Sequence, residues 1–267
     1  MNTSTMSKPA RIVAIANQKG GVGKTTTCVN LAAAFARMKF PVLLIDLDPQ
    51  GNATTGSGID PHRLHMSACE VLLGERTAKE TILRPEGMEF DLLPSNGDLT
   101  AAEMSLLQMD RREFVLKDAL QPLLSEYAWI FIDCPPALNM LTLNALGSAN
   151  SVLIPMQCEY YALEGLTGLL NTIEQLRASI NPGLEIEGLL RTMYDGRNNL
   201  ATAVSDQLIE NFGDQVYRTL IPRNIRVAEA PSYGLPVLLY DPRSKGAVAH
   251  VALAGEMLRR HEKRLDT

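Results

Sequence analysis

The residues that could do chemistry cluster first around a phosphate. Lys19-Gly20-Gly21-Val22-Gly23-Lys24-Thr25 lies between a short apolar run and a run of helical period. Glycines here let the backbone curl so that successive N–H groups converge on an anion, and a helix start adds the positive end of its dipole. Lys24 would reach the β- and γ-phosphates of a nucleotide, and the Thr25 hydroxyl would bind Mg²⁺. Gly20, Gly21, Val22, Gly23, Lys24, Thr25 and Thr26 are the expected nucleotide contacts. The stretch departs from the GxxxxGK[ST] pattern in one respect: Gln18 stands where its first glycine would be.

A magnesium nucleotide also needs carboxylates. Asp133 ends the apolar run Trp129–Asp133, where it could hold the waters of the metal. Asp46 and Asp48 follow the run Pro41–Asp46 and, at i and i+2, leave a strand on the same side. One would support the magnesium shell or the glycine loop, and the other would orient the attacking water. Phosphoryl transfer asks for little beyond positioning and charge neutralisation.

These groups need elements to hold them. Arg11–Asn17, Pro41–Asp46, Trp129–Asp133, Ser151–Pro155 and Ile186–Met193 are near-continuous apolar runs, the pattern of parallel strands covered on both faces. Val216–Ile221 is expected as a late strand. Helical spacing covers Thr25–Met38, Ala162–Ala178 and Ala247–Arg260, the last with Val248, Val251, Gly255 and Leu258 as its apolar face. The alternation predicts an α/β fold, a doubly wound and mainly parallel sheet flanked by helices. Residues 1–10 are expected to be a disordered tail and 11–267 a single domain. Residues 59–125, poorest in strand pattern, are expected as a helical peripheral lobe with short helices around Phe90–Pro94.

Composition sets outer limits. The 267 residues are 46% hydrophobic and 21% charged, enough for a full core. A net charge of −5 argues against a blanket electrostatic grip on nucleic acid or anionic membrane. The charge is uneven, however: residues 191–267 carry 11 basic and 9 acidic side chains, and residues 1–190 carry 14 and 21. No apolar run approaches the roughly 18–20 residues of a membrane span, and Met1–Arg11 lacks the apolar segment of a signal peptide. Cys28, Cys69, Cys134 and Cys158 show no CxxC pairing, which fits free core thiols. The chain is expected to be cytoplasmic.

Five segments in order, KGGVGKTTT from Lys19, DLDPQGNAT from Asp46, FIDCPPALN from Phe131, QCEYYALEG from Gln157 and IPRNIRVAEAPSYG from Ile221, closely resemble the ParA/Soj family of DNA-partitioning ATPases. That family belongs to the deviant-Walker-A branch of P-loop proteins, which also holds MinD. The resemblance spans about Arg11 to Arg260 and implies ATP and Mg²⁺ as cofactors. It implies catalytic roles for Lys24, for Lys19 as the signature lysine acting across an ATP-sandwiched homodimer, and for Asp48 as the residue positioning the hydrolytic water. Asp133 matches the Walker B acid, so that Thr25, Asp46 and Asp133 form the expected metal set, the acids through water. Pro222, Arg223 and Asn224 resemble the segment lining the adenine pocket. Arg197 and Arg226 occupy the positions that bind DNA non-specifically. Lys245, Arg259, Arg260, Lys263 and Arg264 could extend that patch.

The resemblance further implies a ParB-type centromere-binding partner, double-stranded DNA bound by the ATP dimer, association with the nucleoid in that state, and no membrane. Ala137 stands where the family often has serine. Ten residues before Arg11 cannot fold a DNA-reading module, so operator-specific repression is not expected. The alternative is a MinD-like positioning ATPase on a membrane, which needs a C-terminal amphipathic helix with bulky apolar residues. After Arg260 only Leu265 is bulky and apolar. An iron–sulfur reductase of the same branch needs paired cysteines, which Cys134 and Cys158 do not match in context.

Overall fold

Strands buried on both faces must alternate their side chains between two cores. In the computed structural model, which describes residues 9–160 and 162–265, six strands do so: β1 (Arg11–Ile15), β2 (Val42–Asp46), β3 (Asp91–Leu93), β4 (Trp129–Asp133), β5 (Ser151–Gln157) and β6 (Glu185–Thr192). They form one sheet in the order β3-β2-β4-β1-β5-β6, and every neighbouring pair is parallel. Twelve α-helices are described. Those connecting or covering the strands are α1 (Lys24–Arg37), α2 (Asn52–Gly56), α3 (Ala68–Leu72), α4 (Ala78–Thr81), α5 (Leu99–Leu106), α6 (Val115–Leu120), α7 (Met140–Ser148) and α8 (Ala162–Ser179). After β6 come α9 (Asn199–Phe212), α10 (Ile225–Glu229), α11 (Val237–Tyr240) and α12 (Lys245–Leu265). The doubly wound α/β architecture expected from the alternation is the one observed.

Val13 and Ile15, Val42 and Leu44, and Trp129 and Phe131 point to the face covered by α1 and α12. There Phe35 of α1 packs at ring-centroid distances of 4.5 Å from Trp129 and 5.4 Å from Phe131. Ile12 and Ala14, Leu43 and Ile45, and Ile130 and Ile132 point to the other face, under α3, α5, α6, α7 and α8. The sheet register then does the positioning. Asp133 pairs with Ile15 on one side and Asp46 on the other, so the loop leaving β1 and both acids emerge together at the carboxyl ends of three adjacent strands. Open parallel sheets bind ligands at that edge.

Several expectations are corrected. Phe90–Pro94 contributes β3, the outermost strand of the sheet on its side, so the helical lobe is stitched to the sheet. Val216–Ile221 is no strand. It meets β6 at a single bridge, Leu189 with Val216, and the chain just past it bridges Tyr194 after β6 through Pro222, because the Arg218 and Thr219 N–H groups between the two bridges donate to the Glu256 carboxylate of α12. The face of α12 is also turned: Val248 and Val251 are exposed, whereas Ala247, His250, Leu253, Ala254 and Met257 are buried. Of the tail expected over residues 1–10, residues 1–8 lie outside the described ones, and Ala10 is buried with its N–H donating to the Leu124 carbonyl. At the far end of β6, a bulge between Val152 and Leu153 in the β5–β6 register turns Glu187 inward. There its carboxylate accepts from Arg11, Ser151 and Arg264 at 2.8, 2.7 and 3.0 Å.

Candidate functional site

The glycine loop is built by backbone conformations that other residues resist. Gly21 and Gly23 have φ of 73° and 87°, a region costly for any residue with a Cβ. Gly23 is the N-cap of α1, which has no side-chain cap and no acid in its first turn. The first N–H groups of that helix therefore remain available to an anion. From the opposite side Thr192 donates to the Val22 carbonyl at 2.7 Å, fixing the loop to β6.

A cleft of about 490 Å³ opens over this loop. It is lined by Gly20, Gly21, Gly23, Lys24, Thr25 and Thr26, by Asp48, Gln50 and Asn52 after β2, and by Pro136 after β4. Its apolar wall comes from Val29, Met193, Ala230, Pro231 and Leu235. Lys24 is 7% exposed, and its ammonium donates to the Lys19 carbonyl at 3.3 Å. Burial lowers its pKa, against the pull of Asp133, Cys134 and Asp48.

Asp133 is fully buried, and neither of its oxygens has a hydrogen-bond partner among the described residues. Burial, then the nearby Asp46 carboxylate, raises its pKa well above the carboxylate range; Thr25 and Lys24 act the other way. Buried polar atoms in native proteins are normally satisfied, so an orphaned carboxylate beside a buried ammonium and a glycine loop fits a site that receives a hydrated cation. Asp48 is nearly buried, and its carboxylate accepts from the Gln50 N–H at 3.0 Å.

Asp46 behaves differently from the expectation of a metal-shell acid. One oxygen accepts from the Asp48 N–H at 3.1 Å and the other from both the N–H and the hydroxyl of Thr54 at 2.8 Å. Its carboxylate is thus committed to the Asp48 loop and to Thr54. Burial raises its pKa to about 6, opposed by those Thr54 and Asp48 bonds. Lys19 does not line the cleft; its ammonium pairs with Glu159.

Pro222, Arg223 and Asn224 do not line the cleft either. Arg223 donates its N–H to the Tyr194 carbonyl, and Asn224 caps α10 by accepting from the Val227 N–H. The apolar wall of the cleft comes from Met193, Ala230, Pro231 and Leu235 instead. Met193 carried no motif, although its φ of 48°, unusual for a bulky residue, marks a constrained position. The Tyr194 N–H also donates to the Ile221 carbonyl, so the segment leading to Arg197 runs beside the one that leads into α10 and Arg226. Arg197 is 91% exposed and pairs with Asp195 at 2.7 Å; Arg226 is half-exposed and pairs with Glu229 at 2.9 Å. Exposed pairs of this kind hold weakly and exchange readily for another anion. Arg260 and Arg264 are less free: Arg260 stacks on Tyr217 and bonds Glu256, and Arg264 bonds Glu187.

Comparison with known proteins bears on this geometry directly. Residues 10–186 match the AAA domain family. The chromosome partitioning protein ParA of Myxococcus xanthus is 49% identical over 94% of this chain and 88% of its own length. The sporulation initiation inhibitor protein Soj of Bacillus subtilis is 48% identical over 92% of this chain and 98% of its own. Among solved structures, a Mycobacterium smegmatis protein named cobyrinic acid a,c-diamide synthase, with bound ADP and magnesium, has a TM-score of 0.84 at 38% identity, covering 95% of this chain and 96% of that one. Pyrococcus furiosus cell division ATPase MinD has a TM-score of 0.77 at 27% identity, over 94% and 99%. With the glycine loop and the Asp48 turn lining one cleft and the buried Asp133 ending the strand next to β1, this chain belongs to the ParA/Soj family of P-loop chromosome-partitioning ATPases.

Proposed function

We propose that the protein is an ATP-driven DNA-partitioning switch. Mg-ATP pairs two copies, the pair coats double-stranded DNA without sequence preference, and a ParB-type partner triggers hydrolysis and release. The observation that carries the nucleotide half is the buried Asp133 carboxylate, unpartnered beside Lys24 and Thr25 at the mouth of the glycine loop. Backbone N–H groups of Gly20–Thr26 and the Lys24 ammonium would hold the phosphates, while Thr25 and, through water, Asp133 would hold Mg²⁺. Bound magnesium supplies positive charge that the phosphate oxygens need during transfer. Asp48, held at the cleft wall, would orient the attacking water. Asp46 acts on that carboxylate through the loop rather than on the metal. Lys19, paired with Glu159 outside its own cleft, would exchange that carboxylate for the phosphates of a second copy.

The DNA half rests on Arg197 and Arg226, whose guanidinium forks suit phosphate oxygens. Two arginines in each of two subunits make four phosphate contacts, so DNA affinity of the ATP-bound pair should fall with salt at a log–log slope of about −3.6. DNA binding measured with ATP, with ADP and with Arg226→Glu tests this. Wild type should bind only with ATP, and Arg226→Glu should lose DNA while binding nucleotide normally. Equal DNA affinity in the variant would discard the surface.

A further inference from the structure

We infer that Ser95 is a positioning residue for hydrolysis, holding the Asp48 turn from the helical lobe without touching the nucleotide. This rests on the reading of Asp48 as the group that orients the hydrolytic water. Ser95 lies two residues beyond the end of β3 and is fully buried. Its hydroxyl donates to the Asp48 carbonyl at 2.6 Å, and its N–H donates to the Thr54 hydroxyl at 2.9 Å. The Thr54 hydroxyl in turn donates to Asp46, whose other oxygen receives the Asp48 N–H. Asp48 is therefore gripped at both its backbone groups, one through Asp46 and one through Ser95.

Packing closes the same contact. Gly51, with φ of 62°, lies so close beneath the strap that a Cβ there would come within 3.1 Å of the Ser95 carbonyl oxygen. The strap is itself held from the lobe, because the Ala68 N–H at the start of α3 donates to the Pro94 carbonyl at 2.8 Å. The Asp48 carbonyl also accepts from the Gly51 N–H within the turn at 2.9 Å, and the Ser95 bonds add a hold from outside it, tying the turn and α2 to the chain after β3. Misplacing a catalytic group by about 1 Å costs up to roughly 100-fold in rate, so a residue that fixes the backbone of Asp48 sets turnover while leaving the phosphate contacts alone. The arrangement also gives the lobe a direct mechanical hold on the hydrolytic residue.

The test uses the full chain with Mg-ATP and compares Ser95→Ala, Thr54→Val, Thr54→Ser and Asp48→Ala. Ser95→Ala and Thr54→Val should lower kcat about 10- to 100-fold with ATP affinity within about twofold of wild type, and Thr54→Ser, which keeps the hydroxyl, should restore turnover. In the nucleotide-free protein, Ser95→Ala should speed hydrogen exchange at the Gln50 and Gly51 amides, a readout independent of hydrolysis. Wild-type kcat in Ser95→Ala, with Asp48→Ala inactive, overturns the positioning role and leaves the Asp48 reading standing. Equal loss of ATP affinity and kcat in Ser95→Ala, or no recovery in Thr54→Ser, reduces Ser95 to general structural support and also overturns it. Wild-type turnover in Asp48→Ala removes the catalytic reading on which the role depends.

Discussion

Asp133 and Lys24 show how far single residues can carry the account. A carboxylate buried without a partner is costly, and the sheet register leaves it at the mouth of the glycine loop rather than in the core interior. Lys24→Ala removes the one cation buried in that cleft and should weaken ATP binding by about 3 kcal/mol, roughly 100-fold in Kd, as read by nucleotide titration. Asp48→Ala should leave ATP affinity intact while lowering kcat by about 100-fold or more, so that the ATP-bound form accumulates on DNA; single-turnover hydrolysis checks it. The glycine loop, Lys24, Asp48 and Asp133 were legible in the sequence because phosphate chemistry dictates both residue type and spacing. Ser95 and Thr54 were not, since each meets its partner through a fold that joins residues 41 to 47 positions apart. Asp46 shows the same limit: the sequence offered an acid, and only its bonds to Thr54 and Asp48 show what it holds.

Elements were legible where the apolar run was long and failed where backbone groups found unexpected partners. β3 is only three residues long and stops before Pro94, too short a run to stand out. The 216–222 segment reads as a strand, but the Glu256 carboxylate takes two of its N–H groups. In α12 the branched valines suggested the buried face, whereas the small Ala247 and Ala254 let the helix approach α1 closely, with His250 buried beside them. The His250 Nδ1–H donates to the Gly246 carbonyl, and Nε2 is buried with no partner, so a second proton has nowhere to bond. Burial accordingly lowers its pKa from 6.5 to about 4. Between those values the unfolded chain binds the proton and the folded one does not, so His250 makes stability fall as pH drops from about 6.5 toward 4, by at most about 3 kcal/mol. Denaturation of His250→Leu across this window should show a flatter acid limb than wild type. An unchanged pH dependence would mean that His250 is charged in the fold.

Across the whole molecule, the net charge of −5 stops being an argument against a DNA partner once its distribution is known. The acidic excess belongs to the first 190 residues, and Arg197 and Arg226 both fall in the slightly basic remainder, on segments joined through Tyr194. In the proposed switch, a monomer offering two arginines, each already paired to a neighbouring acid, would hold DNA weakly, and a nucleotide-linked pair would double the contacts. On that proposal the nucleotide cleft would control the arginine surface, and the partner would end the ATP state. The most direct measurement is steady-state ATP turnover of the wild-type protein alone, with double-stranded DNA, with the N-terminal peptide of a ParB-type protein, and with both. Slow basal turnover that rises when the peptide and DNA are present together is the predicted result. Turnover indifferent to both, with ATP also failing to induce DNA binding, would contradict the partition switch.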